Sequence, residues 1–184
     1  DDFVEGTLGK THVQFSELHT EYSVRTKNGR RWVSIFKGLF FAADFNKHFH
    51  GRTVVLPDTA EKMMGGFGKF LQSKNVSRDD LVKMDDPLFE KEFVVYGTDQ
   101  IEARYILTSS LMKRIIDFRL KSKKKIHLSF VNSKVFVAIS YNKNLFEPNV
   151  FKTLLSFMPI QEYFNDLNMA VSIFWLDFWK EKIR

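Results

Sequence analysis

Cysteine is absent from this 184-residue chain. Disulfides, thiol nucleophiles and thiolate metal sites are thereby excluded. Long apolar runs are missing too. The longest near the C-terminus, Met169 to Leu176 (MAVSIFWL), falls far short of the ~20 residues a membrane-spanning helix needs. The chain also starts at Asp1 rather than at Met, with no signal peptide in view. The expectation is a soluble domain excised from a longer protein, with any membrane anchor upstream. Known catalytic signatures are lacking as well: no Ser-His-Asp order, nucleophile elbow, zinc-protease motif or dinucleotide fingerprint occurs. MGGFGKF at 64–70 superficially resembles a phosphate loop, but it lacks the spacing and the Ser/Thr after Lys. These absences point away from an enzyme and give no cofactor to expect.

Phenylalanine is plentiful, with 20 residues. So many large apolar side chains fill a sheet–helix core by the general rule of burial, or they line an apolar cavity. The formal net charge is +6, from 28 basic and 22 acidic residues. That mild excess is compatible with an anionic membrane surface or nucleic acid and requires neither. The length suits one domain over 1–184 with a core of its own.

Residues Arg30 to Asp58 form the most apolar and aromatic part. Trp32, Val33, Ile35, Phe36, Leu39, Phe40 and Phe41 crowd one short window in both parities. Such a run reads as a strand buried on both faces, central in a sheet. Gly38 inside it predicts a bulge or the close approach of another backbone. Upstream, Gly6 to Arg25 reads as extended. Asn28-Gly29 is a strong hairpin signal, so the first long strand pairs antiparallel with the central one.

Asp58 to Ser73 has helical spacing interrupted by Gly65, Gly66 and Gly68. Pro87 after Asp85-Asp86 starts a short helix. Phe93 to Tyr96 is a strand, and Thr98-Asp99 caps a helix through QIEARYIL. A further helix over Thr108 to Lys121 carries Leu111, Ile115 and Phe118 on one face, with Met112 and Ile116 beside it. Ile126 to Phe130 and Val135 to Ser140 form a hairpin around Asn132-Ser133. Ile160, Phe164, Leu167, Val171, Phe174 and Phe178 make a continuous apolar stripe. The order predicts an α+β fold: a mainly antiparallel sheet with helices packed on it and a long C-terminal amphipathic helix.

IFKGLFFAADFNK, TVVLPDTAEK, LVKMDDPLFEKEFVVYGTDQIEARYILTSSLM and LFEPN together resemble an uncharacterised bacterial domain family, known only as a domain of unknown function. The resemblance covers Val13 to Tyr163. It implies a membrane-anchored protein, often encoded near LemA-like membrane proteins, and it brings no activity or catalytic residue.

Four groups of residues are candidates for chemistry. His48 and His50 share a face of an extended segment, and Asp44 precedes them; His12 or His19 could join. Two imidazoles and a carboxylate suit zinc or non-haem iron, against the plainer reading of surface histidines. Asp99 and Glu102 are helical neighbours that could do acid–base work or simply cap the helix. Asp85 and Asp86 have the same two readings. Lys121, Lys123, Lys124 and Lys125, with Arg119, Arg114 and Lys113 before them, form the densest basic patch. It is either a solvated turn or a contact for anionic lipid.

The expectation is a non-catalytic, membrane-proximal binding domain of a bacterial membrane protein, on the cytoplasmic face. Its partner would be an anionic membrane surface or a neighbouring membrane protein. Nucleic acid is not expected, because the patch lacks interleaved aromatics and a binding motif. An apolar-ligand or lipid-binding domain is the first alternative, and a metal-dependent hydrolase using Asp44, His48 and His50 the second.

Overall fold

The computed structural model describes residues 3–8, 11–27, 29–58 and 79–141, with Asn168, Val171 and Ile173. The described part of the first 44 residues is extended almost throughout, as β1 (Phe3–Leu8), β2 (Thr11–Thr26) and β3 (Gly29–Asp44). After them come β4 (Arg52–Pro57), β5 (Asp80–Val82), α1 (Pro87–Glu92), β6 (Phe93–Gly97), α2 (Gln100–Ile106), α3 (Ser109–Ser122), β7 (Ile126–Val131) and β8 (Lys134–Ser140). The eight strands form one sheet in the order β1-β2-β3-β8-β7-β4-β6-β5. Every pairing in it is antiparallel.

The α+β expectation is corrected by this sheet. Strand takes up 54% of the described residues and helix 26%, and the described helices are short, so the fold is mainly β. The physical reason lies at the N-terminus. Its alternating pattern builds three paired strands with no helix between them, and two of these strands run for 16 residues each. The described residues show no long C-terminal helix. Most of the apolar stripe expected to form one lies outside them, as does the glycine-interrupted helix beyond Asp58.

Both hairpins expected from the sequence form, the first with Gly29 already paired in β3. β2 and β3 pair from Thr26↔Gly29 onwards, with a bulge between Thr20 and Glu21. β7 and β8 join through Asn132 and Ser133, both at positive φ, which is the geometry of a tight two-residue turn. In the body of the sheet, one face carries Leu39, Phe41, Ile126, Leu128, Phe130, Val135, Val137 and Ile139. These meet Phe89, Ala103, Ile106, Leu107, Leu111, Ile115 and Phe118 from the helices in one continuous core. The i, i+4, i+7 spacing on α3 explains why that helix lies flat on the sheet.

Gly38 marks a boundary. Its φ is +152°, and a Cβ there would collide with the Ile139 carbonyl oxygen. The close backbone approach expected at this glycine is therefore the end of β8 crossing it. Before Gly38, β2 is the only strand beside β3 among the described residues. From Gly38 onwards β8 flanks it too. β1 likewise pairs with β2 no further than Ser16. The distal halves of β2 and β3 thus leave the sheet as a two-stranded arm.

Candidate functional site

The two ends of the sheet body differ in chemistry. At one end, β3 runs into the segment 45–51. Phe45 and Phe49 are buried there, and Phe45 packs edge-on against Phe130 at 5.2 Å between centroids. Because Phe49 points inward, His48 and His50 on either side of it are exposed. Asp44 is exposed and pairs with Lys134 at 3.2 Å. His12 contacts Glu5 at 2.7 Å and His19 contacts Glu21 at 3.4 Å. Among the described residues, no three His, Asp or Glu side chains gather where a metal ion could be held.

Glu102 turns out to be a clasp. Its carboxylate accepts the backbone N–H of His50 at 3.0 Å and of Gly51 at 2.6 Å, tying α2 to the loop that carries the histidines. Asp99 caps α2, accepting from Ile101 and Glu102 N–H at 2.7 and 3.0 Å. Loss of such a cap costs about 1 kcal/mol. Asp86 does the same for α1, accepting from Leu88 and Phe89 N–H. Arg104 donates to the Lys83 carbonyl. Each carboxylate of the acid–base candidates is thus bonded to backbone amides, apart from Asp85, which is exposed.

One ion pair had no signature in the sequence. Arg52 donates through Nε and Nη2 to both oxygens of Asp79, each at 2.9 Å. The Asp79 side chain is 1% exposed. That bidentate hydrogen bond pushes the Arg52 guanidinium pKa above its ordinary value. A buried carboxylate with both oxygens engaged by one guanidinium is a structural anchor for β4. His127, on the sheet face away from the helices, has its pKa held below the ordinary imidazole value, chiefly by burial.

The opposite end of the body is basic. α3 ends at Lys123, which adopts the left-handed conformation that closes many helices. Around that turn Lys121, Lys123 and Lys125 are exposed. Two other members are committed internally. Arg119 pairs with Glu92 at 3.5 Å and donates to the Lys124 carbonyl. Lys124 lies over the Tyr141 ring, 4.2 Å from its centroid. The same end is the root of the arm: Ser140 N–H donates to the Lys125 carbonyl and Tyr141 N–H to the Lys37 carbonyl. So the structure brings the basic turn beside Lys37.

The arm carries a second basic group that the sequence reading passed over. Arg25, Lys27, Arg30 and Arg31 flank the hairpin turn, all exposed. Their signal was their position, on both sides of Asn28-Gly29, rather than a contiguous run like 121–125.

A family model described as "Protein of unknown function (DUF3137)" matches residues 34–175, and the chain belongs to that family. No curated protein matches it. Among solved structures, the crystal structure of the mycobacterial trehalose monomycolate transport factor A is similar over 92% of this chain and 78% of that one. The TM-score is 0.39 at 12% sequence identity.

Proposed function

We propose that this member of the DUF3137 family is a non-catalytic, membrane-proximal binding domain whose basic end meets an anionic membrane surface. The observation that carries the reading is the exposed turn of Lys121, Lys123 and Lys125 at one end of the sheet. Its shape comes from the αL cap at Lys123, so the lysines are held outward by the backbone itself. Each basic residue near an anionic surface contributes about 1 kcal/mol to attraction, and salt screens it. At the other end, Asp99 and Glu102 serve backbone amides, which leaves acid–base chemistry without a free carboxylate pair there. The membrane anchor implied by the resemblance described above fits the same arrangement.

Co-sedimentation with phosphatidylcholine vesicles, with and without phosphatidylserine, tests this at low and high salt. The expected result is binding to the anionic vesicles alone, weakened by salt and by changing Lys121, Lys123 and Lys125 to Ser. Equal binding to neutral vesicles, or none to either kind, overturns it.

A further inference from the structure

We propose that the arm formed by the distal halves of β2 and β3 is a second membrane contact, with its tip seated among anionic headgroups. This rests on the membrane-surface reading above and adds a site to it. The arm is long: from Gly38 to Gly29, at ~3.3 Å per residue, it reaches roughly 30 Å beyond the sheet body. Among the described residues, no third strand covers either of its edges. A bare two-stranded ribbon is marginally stable in water and exposes unpaired edges that normally invite pairing. Something in its chemistry must suit that exposure.

The chemistry is that of a headgroup layer. The register pairs Tyr22 with Val33, Val24 with Arg31, Ser23 with Trp32 and Arg25 with Arg30. Paired residues share a face, so apolar and cationic side chains ring the tip on both sides. Trp32 is 64% exposed, and Tyr22 and Val24 are each 37% exposed. Among the described residues, Arg25, Lys27, Arg30 and Arg31 make no side-chain hydrogen bond or ion pair, and no acidic residue occurs in the sequence between Glu21 and Asp44. Tryptophan and tyrosine favour the bilayer interface, where an apolar ring body meets a polar edge. Arginine and lysine are drawn to anionic lipid. A β-ribbon can also enter the major groove of DNA. That use calls for a mostly polar inserted face, whereas here each face mixes its cations with large apolar groups: Arg31 with Tyr22, Val24 and Val33 on one, Arg25 and Arg30 with Trp32 on the other. Root and tip are both basic, so an arm lying along a bilayer would bring Lys37, the lysine turn and the tip to one surface.

The lack of native cysteine makes the test direct. Ser23→Cys at the tip and Ser109→Cys at the start of α3 each accept a single environment-sensitive fluorophore. On adding phosphatidylserine-containing vesicles, the Ser23→Cys label should shift to the blue and become shielded from an aqueous quencher, while the Ser109→Cys label stays in water. Changing Arg25, Lys27, Arg30 and Arg31 to Ser should weaken vesicle binding by about fivefold per residue, with the circular dichroism spectrum unchanged. If the protein binds anionic vesicles while the tip label stays in water, the arm proposal falls and the membrane-surface reading stands. If it binds no vesicles, both fall. If the tip label instead responds to duplex DNA alone, or to rising protein concentration alone, the arm is a nucleic-acid reader or a self-pairing edge, and the proposal is overturned.

Discussion

β3 is one strand with two environments. Its second half, Gly38 to Asp44, lies between β2 and β8 and buries Leu39, Phe41 and Ala43. The first half, Gly29 to Lys37, has β2 as its one neighbouring strand among the described residues and leaves Trp32 exposed. Both halves are rich in aromatic and β-branched residues. The contrast teaches that such residues make a strand, whereas the neighbours a strand acquires decide whether its side chains are core or surface. A large apolar residue in the first half contributes surface chemistry; one in the second half contributes stability.

Three substitutions sharpen that contrast, and chemical denaturation monitored by circular dichroism measures each. The largest effect is expected in the body. Phe130→Ala on β7 removes a fully buried ring that packs on Phe45 and should cost about 3–5 kcal/mol. At the junction, Gly38→Ala puts a Cβ against the Ile139 carbonyl at a φ that L-residues avoid. The expected loss is about 2–4 kcal/mol, from backbone strain and overpacking together. In the arm, Trp32→Ser should change stability by less than about 0.5 kcal/mol, as surface substitutions do. A loss at Trp32 near that at Phe130 would mean the arm is packed against something, and the division of β3 into two environments would not hold.

Much of the local structure was legible. Asn28-Gly29 predicted the β2–β3 hairpin, Asn132-Ser133 the β7–β8 hairpin, and Asp86 and Asp99 the starts of α1 and α2. In each case the reason is local: turn geometry and cap hydrogen bonds are satisfied within a few residues. The fold class was misjudged because Gly6 to Arg25 reads as one extended stretch, while the structure has two paired strands, β1 and β2, over that part of the chain. Burial along β3 was misjudged for a related reason. Period and composition report strand propensity, and which strands flank Gly29 to Lys37 is not written there.

The candidate sites divide in the same way. The lysine run was visible because its residues are contiguous. Its neighbourhood with Lys37 was not, since a hydrogen bond across more than a hundred residues, from Tyr141 to Lys37, depends on sheet order. Glu102 was visible as half of a carboxylate pair. Its partners, the amides of His50 and Gly51, lie about fifty residues upstream. The Arg52–Asp79 pair left no mark at all, because two common residue types 27 apart resemble any other two.

By itself, the sequence determined the strand and helix types, the two hairpin turns, the helix caps, the absence of thiol chemistry and the basic excess. These follow from torsional preference, short-range hydrogen bonding and composition, which act within a few residues. The tertiary structure alone decided the strand order, the projection of the arm, the buried Arg52–Asp79 anchor and the meeting of Lys37 with the lysine turn. Those depend on which distant segments exclude water from one another, and burial is a property of the assembled chain rather than of any stretch of it.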